Sequence, residues 1–131
     1  MSNKLNISDN TKKIAVYIVL IAITMTVYGQ MRHFGFVNFD DNIYITENSH
    51  VRSGISLKGI LWSLSTQDTG LWNPLLWLSF MLDYELYGLN AGGYHVTNLI
   101  LHVLSTLLLF WLFSRMTRQI WPSAFVAAFF A

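Results

Sequence analysis

The chain has 131 residues, of which 53% are apolar and only 11% are charged, and its formal net charge is +1. A soluble domain carries roughly 25% charged residues, so this chain lacks the polar side chains that would coat a water-soluble globule. The small net charge gives no reason to expect a nucleic-acid partner. The absence of cysteine excludes disulfides and thiolate metal sites.

The first apolar run, residues 14–29, carries no charge and follows Lys12 and Lys13. It is about as long as the shortest helices that cross a bilayer. We interpret it as an uncleaved membrane anchor. The alternative is a cleaved signal peptide, although the small residues near the end of the run match the cleavage pattern only weakly.

Residues 30–93 form a polar and amphipathic stretch in which we expect two short helices lying on the membrane surface. The first, within residues 56–67, places leucine and isoleucine side chains on one helical face. The second begins at Pro74, with Asn73 as its expected N-cap, and ends at Gly88. This second helix is too short to cross a bilayer; the alternative is a core helix of a small soluble domain.

Two acids, Asp83 and Glu85, lie in this second helix. We expect both carboxylates to face water, because ionised groups are rarely buried without a partner. Pairing of Asp83 with Arg52 or Lys58 is the alternative.

The second span is predicted at residues 94–114, and Arg115 and Arg118 follow it. A third apolar run, residues 120–131, is too short to cross a bilayer. We therefore expect the sequence to be the N-terminal part of a longer membrane protein. Because lysine and arginine flank both spans on one side, the positive-inside rule places the N-terminus and Arg118 in the cytoplasm. Residues 30–93 then form an external loop.

Asp40 and Asp41 stand side by side in the aromatic and β-branched stretch FVNFDDNIYI, residues 36–45. Adjacent carboxylates repel each other, which can make one of them a better general base. Together they could also hold a divalent cation that neutralises a phosphate leaving group. The alternative is a turn, because D-D-N is favourable turn composition. The spacing leaves both interpretations open.

Five polar residues of the second span fall within about a third of the helical circumference. They are His95, Asn98, His102, Ser105 and Thr106. Such a stripe either lines a site or forms hydrogen bonds between helices. His95 lies nearest the outer surface, so we expect it to be the closest of the five to any site.

Three stretches, FVNFDDNIYITEN, WNPLLWLSFMLDYELYGLNAGGYHVTNLILH and RMTRQIWPSAFVAAFFA, carry a resemblance that covers about residues 34–131. They resemble the N-terminal part of bacterial membrane proteins with tetratricopeptide repeats. These proteins are similar to the eukaryotic transmembrane and tetratricopeptide-repeat O-mannosyltransferases. The resemblance implies an all-α membrane protein of the GT-C glycosyltransferase fold, multi-pass in the bacterial inner membrane. It also implies a polyprenyl-phosphate sugar donor and a protein Ser/Thr acceptor.

The resemblance also assigns roles to residues. The family's acidic pair maps onto Asp40 and Asp41, with Asp40 as the expected catalytic base and Asp41 as its positioning group or a metal ligand. Other family motifs map onto Trp72, Pro74 and Leu75, and onto His95, Thr97, Asn98 and His102. Asn73 stands where the family often has histidine. The candidate substrate-binding residues are His95, Asn98, Arg52 and Trp72, of which Arg52 is chosen for its charge and its proximity to the acidic pair.

Two other functions stay open at this point. One is a non-catalytic membrane scaffold, whose helical repeats would bind partner proteins and whose Asp pair would be only a turn. The other is a transporter that uses the polar stripe of the second span. Under the glycosyltransferase hypothesis we expect the 131-residue chain alone to be inactive, because most spans of such an enzyme would be absent from it.

Overall fold

The computed structural model describes the backbone of residues 2–131 and the side chains of residues 8–131. The protein is 78% helical, and no strand occurs in this described part, so it is all-α as predicted. The helices are α1 (Ser2–Tyr28), α2 (Ser49–Arg52), α3 (Leu57–Ser65), α4 (Pro74–Tyr87), α5 (Ala91–Thr117) and α6 (Ile120–Phe130). A 3₁₀ turn, Gly29–His33, follows α1, and a wide helical turn, Asn42–Thr46, precedes α2.

Two helical segments, Ser8–His33 and Ala91–Thr117, are long and apolar enough to cross a membrane. Only 17% and 11% of their most apolar windows are buried, whereas a core helix of a soluble protein would be mostly covered. Their apolar side chains therefore face outward, as lipid-facing side chains do, and the fold is that of an all-α membrane protein. Both helices extend beyond the predicted spans, 14–29 and 94–114, because flanking polar residues continue the helical backbone.

The chain divides into two compact units, one formed by Met31–Thr97 and the other by the residues up to Gln30 together with Asn98–Ala131. In the second of these, α1 and α5 run antiparallel: the Tyr17 ring meets Phe110 edge-on at 4.9 Å, and the Tyr28 ring meets His102 at 5.3 Å. The buried core of this helical unit consists of Val16, Leu20, Phe110 and Ala127.

Small polar side chains are buried in the same unit and bond to their own helices. Thr106 Oγ1 donates to the His102 carbonyl at 2.9 Å, and Ser105 Oγ donates to the Leu101 carbonyl at 2.8 Å. These two hydroxyls therefore donate within α5, whereas His102 Nε2 of the same stripe lies 3.2 Å from the Ala131 carbonyl oxygen, beyond its own helix. The buried Thr106 hydroxyl is thus satisfied by the preceding turn of its own helix, which lets neighbouring helices pack closely without an unpaired polar group, whereas Ser105 is exposed.

The unit Met31–Thr97 is built on a second core, made of Val51, Trp77 and Met81. Its helices α3 and α4 approach closely at Gly59, where a Cβ would lie 3.0 Å from Met81 Sδ. Ser56 caps α3, because its hydroxyl accepts the Gly59 N–H at 3.0 Å. Gly59 thus lets the short amphipathic helix lie flat against α4.

Helix α4 begins at Pro74 and ends at Gly88, as the sequence predicts. The prediction for Asn73 is wrong in one respect: it holds the N-cap position, but its side chain makes no capping hydrogen bond. Gly88 has φ +59°, a conformation that glycine adopts at little cost. Tyr94 Oη donates to the Gly88 carbonyl at 2.9 Å and so closes the corner between α4 and α5.

Candidate functional site

Asp41 holds the acidic turn together. Its Oδ2 accepts the Val37 N–H at 2.8 Å, and the Asp40 carbonyl accepts the Tyr44 N–H at 2.9 Å. The first bond closes a loop of four residues, and the second joins that loop to the wide helical turn Asn42–Thr46. For Asp41 the turn interpretation therefore holds: one carboxylate oxygen is engaged in fixing the backbone.

Asp40 differs from its neighbour. Its side chain is exposed, and its carboxylate has no hydrogen-bond or ion-pair partner among the residues whose side chains are described. The backbone of Asp40 is nevertheless fixed, through its own carbonyl and through Asp41. A free carboxylate on a fixed turn is an arrangement that can accept a proton from an incoming hydroxyl.

Aromatic side chains anchor the acidic turn on both of its sides. Before it, the Phe36 ring meets Tyr94 edge-on at 5.3 Å. After it, the Tyr44 ring stacks on Trp77 at 5.2 Å and meets Phe80 at 6.2 Å. Phe80 and Tyr94 lie 6.4 Å apart, which completes the cluster. Aromatic pairs of this geometry stabilise beyond their buried area, so the turn is attached firmly beside the start of α5.

His95 follows Tyr94 and is brought to the same part of the unit. Asp41 accepts a hydrogen bond from Val37, and Phe36, the residue before Val37, packs on Tyr94. His95 is the residue after Tyr94 on α5. The Nε2 atom of His95 is buried and has no hydrogen-bond partner among the described residues. Buried polar atoms are nearly always paired, so this nitrogen is a candidate contact for a bound molecule.

Arg52 lies past the other end of the acidic turn. Its Nη1 donates to the Thr46 carbonyl at 3.3 Å, at the end of the wide helical turn. The guanidinium is exposed and lines an open cavity of about 290 Å³. The other residues lining this cavity are Glu47, Ser49, Ser53 and Tyr84. Arg52 is thus joined to the segment that carries the acidic pair.

The last two candidate binding residues are Trp72 and Asn98, and Asn98 belongs to the other unit. Trp72 is 60% exposed, and its Nε1 donates to the Leu64 carbonyl at 2.8 Å near the end of α3. Its observed role is to close the loop between α3 and α4. Asn98 is exposed on α5 and has no hydrogen-bond partner among the described side chains.

Apolar side chains stand at the surface beside the acidic pair. Val37, Phe39 and Ile43 are 67%, 78% and 54% exposed. Phe39 and Ile43 therefore project outward and do not cover the carboxylates. Exposed apolar groups around a polar turn are typical of a surface that lies in the membrane interface.

Asp83 is the buried acid that sequence reasoning missed. It is 3% exposed, and Thr97 Oγ1 donates to its Oδ1 at 2.6 Å. Burial raises the pKa of the Asp83 carboxyl above its ordinary value of 3.8, and the Thr97 hydrogen bond acts in the opposite direction. The expectation that Asp83 faces water is wrong, because α5 covers it; Glu85 is exposed as expected. An acid between apolar residues was the available signal, but its partner lies 14 residues away.

The described side chains alone do not complete a metal site. Among them, no group of three or more His, Asp or Glu residues is placed to share one ion. The two adjacent carboxylates fall short of the oxygen ligands that Ca²⁺ takes, and one oxygen of Asp41 already accepts the Val37 N–H. We therefore assign no step to a metal.

Known proteins match the chain over most of its length. It is 33% identical over 109 residues to Protein O-mannosyl-transferase Tmtc1 of Drosophila melanogaster, covering 78% of this chain and 12% of the relative. It is 33% identical over 109 residues to Protein O-mannosyl-transferase TMTC1 of Mus musculus, covering 77% and 12%. It is 32% identical over 105 residues to Protein O-mannosyl-transferase Tmtc2 of Drosophila melanogaster, covering 74% and 11%.

The chain spans about one eighth of the length of these curated relatives. No family model and no solved structure matches it. The bacterial source and the GT-C fold that the resemblance implies stay predictions. Across about three quarters of its length, the chain is related to the protein O-mannosyl-transferases.

Proposed function

We propose that the chain is the N-terminal part of a membrane glycosyltransferase that moves a sugar from a polyprenyl-phosphate donor to a Ser or Thr hydroxyl of a protein. The relation to the protein O-mannosyl-transferases supports a transferase. The observation that carries the proposal is the free, exposed carboxylate of Asp40 on a backbone that Asp41 fixes. Because the relatives are about eight times longer, the 131-residue chain alone is inactive in this proposal.

The chemistry is an inverting displacement. Asp40 accepts the proton of the acceptor hydroxyl while the hydroxyl oxygen attacks the anomeric carbon of the sugar. The bond between that carbon and the lipid phosphate oxygen breaks, and the phosphate leaves with the electron pair. Asp41 acts as a positioning residue, since its bond to the Val37 N–H sets the direction of the adjacent carboxylate. General-base catalysis contributes about 10²–10⁴-fold.

The donor phosphate is bound by cationic and hydrogen-bonding groups near the acidic turn. Arg52 offers a guanidinium with only one backbone contact, at 3.3 Å, and guanidinium groups match phosphate geometry. His95 offers its unpaired Nε2. Trp72 and Asn98 are further binding candidates for the sugar or the lipid. The outward-projecting apolar side chains beside Asp40 support a donor that is presented from the membrane.

The positive-inside rule places the loop 30–93 outside the cytoplasm, where Asp40 would meet a secreted or periplasmic acceptor. In this proposal the full-length protein is multi-pass in the bacterial inner membrane, with its N-terminus in the cytoplasm. Membrane lipid, the sugar donor and the acceptor protein are its partners.

The deciding experiment is Asp40→Asn in the full-length enzyme, with transfer measured from a purified polyprenyl-phosphate sugar. The amide keeps the size of the side chain and removes the base, so transfer should fall by roughly 10²–10⁴-fold while expression and melting stay unchanged. Full transfer by Asp40→Asn would refute the catalytic role.

Asp41→Asn is the matched variant. Its amide oxygen can still accept the Val37 N–H, so the turn persists and a milder loss is expected. A loss as severe as that of Asp40→Asn would instead indicate a required metal ligand, and inhibition of the wild-type enzyme by EDTA would confirm that.

A non-catalytic scaffold is the second candidate, and the role of Asp41 in holding a turn favours it. The same two variants separate the hypotheses. A scaffold keeps its partner binding and shows no transfer in any form of the protein, whereas the transferase loses product formation only when Asp40 is changed.

A further inference from the structure

A cavity of about 500 Å³ lies in the unit formed by α1, α5 and α6. It is lined mainly by polar side chains from the ends of these helices. The lining residues are Asp9, Lys13, Ser114, Arg115, Arg118 and Ile120. None of them belongs to the proposed transfer site, so whatever binds here is independent of that chemistry.

The cavity carries an excess of positive charge. Asp9 is the carboxylate in the lining, and its charge is already neutralised by an ion pair with Lys12 at 3.2 Å. Lys13, Arg115 and Arg118 have no ion-pair partner among the described side chains. Three like charges that line one cavity repel each other, and a bound anion would relieve that repulsion.

The turn between α5 and α6 holds Arg118 in place. Arg118 has φ +57°, an uncommon conformation for a residue other than glycine. Thr117 Oγ1 accepts the Gln119 N–H at 3.2 Å, and Ser123 Oγ donates to the Gln119 carbonyl at 2.6 Å. Hydrogen bonds among the flanking residues Thr117, Gln119 and Ser123 therefore hold Arg118 in this strained conformation. Strain of this kind is concentrated at functional positions.

A separate apolar groove lies along α1 and α6 in the same unit. Its volume is about 220 Å³, and its lining is entirely apolar. The groove is lined by Ala15, Val16, Val19, Leu20, Ile23, Trp121, Ala124 and Ala128. It begins two residues after Lys13 on α1 and one residue after Ile120 on α6. The basic cavity and the apolar groove thus follow each other along both helices, and we call the two together the amphipathic surface.

We propose that this surface binds an anionic phospholipid. The phosphate lies against Lys13, Arg115 and Arg118, and one acyl chain lies in the groove between α1 and α6. Basic pockets between membrane helices are suited to lipid head groups. A soluble phosphate could use the cavity but would leave the adjoining groove empty; only a lipid uses both.

The test is lipid binding to the protein purified in detergent, measured by native mass spectrometry. Phosphatidylglycerol should bind more tightly than phosphatidylcholine with the same acyl chains. Arg115→Gln and Arg118→Gln should each weaken phosphatidylglycerol binding about fivefold. Lys58→Gln removes the same charge on α3, outside the cavity, and should change nothing. Equal binding of the two lipids, or unchanged binding by both arginine variants, would overturn the proposal.

Two further measurements identify the source of the phosphate and the occupant of the groove. Soluble glycerol 3-phosphate should fail to displace the lipid; displacement at equal concentration would assign the cavity to a free phosphate and overturn the lipid proposal. Phosphatidylglycerol with a photoreactive acyl chain should label residues 15–23 or 121–128. Labelling elsewhere would mean that another occupant, such as a further helix, fills the groove.

Discussion

Replacing Thr97 with valine removes the one hydrogen-bond donor that the described residues give to the buried Asp83 carboxylate. Valine nearly matches threonine in volume, so no cavity is created and the loss is that of the hydroxyl. Leaving a buried acceptor unpaired costs about 1–3 kcal/mol, more when it is charged. The 2.6 Å bond to a side chain that is 3% exposed places Thr97→Val within this range.

The destabilisation caused by Thr97→Val should depend on pH, in a direction that follows from the pKa of Asp83. Burial raises the pKa of the Asp83 carboxyl above 3.8, so the folded state binds a proton more readily than the unfolded state. The stability that this carboxyl contributes is then full below the unfolded pKa and is lost as pH rises through the folded pKa. Thr97 lowers that pKa by donating to the ionised form. Thr97→Val should therefore raise it further, and its cost should be largest at neutral pH and shrink in acid.

The assay is unfolding by SDS in mixed micelles, followed by tryptophan fluorescence at neutral and acidic pH. Trp77 is buried in the same unit and reports on its integrity. Thr97→Ser keeps the donor and serves as the control. If Thr97→Val and Thr97→Ser unfold at the same SDS fraction at neutral pH, the hydrogen bond does not stabilise the fold and the reasoning is wrong.

Three other predictions concern topology, packing and self-sufficiency. In this cysteine-free chain, a single cysteine replacing Arg52 should be labelled only from outside and one replacing Arg118 only from the cytoplasm; the reverse pattern would invert the orientation. Gly93→Ala should destabilise by about 1–3 kcal/mol, because its Cβ would strike the Tyr87 ring, whereas Gly29→Ala meets nothing within 4 Å and should be neutral in the same unfolding assay. The chain expressed alone should need detergent to stay in solution, and a detergent-free monomer with a cooperative melt would contradict this.

The features that sequence predicted well are those set by neighbouring residues. Pro74 at a first helical turn and Gly88 at a helix end act through their own backbone preferences, and both boundaries of α4 are confirmed. The two long apolar helices follow in the same way from composition. Helix ends and the lengths of apolar helices can be predicted without knowing how the rest of the chain folds.

The features that sequence could not predict depend on which segments meet. Asp83 is buried beside the start of α5, and its partner Thr97 lies beyond the corner at Gly88. Asn73 has the composition of an N-cap, yet its backbone angles of φ −127° and ψ 63° are not those of extended chain, and its side chain makes no capping hydrogen bond. Trp72 is a candidate substrate-binding residue in the sequence, and its indole closes the loop between α3 and α4. The hydrogen bonds of Asp83 and Trp72 join residues 14 and 8 positions apart, which no local pattern encodes.

The acidic pair shows why the turn and the site are compatible. A carboxylate that accepts a backbone N–H fixes the chain but has less capacity left for chemistry, and this describes Asp41. A carboxylate that is to accept a proton from a hydroxyl must stay unpaired and still be held in position, and this describes Asp40. One acid alone could not meet both demands, since the bond that fixes it would also occupy it. Two adjacent acids divide the demands, one fixing the backbone and the other left unpaired.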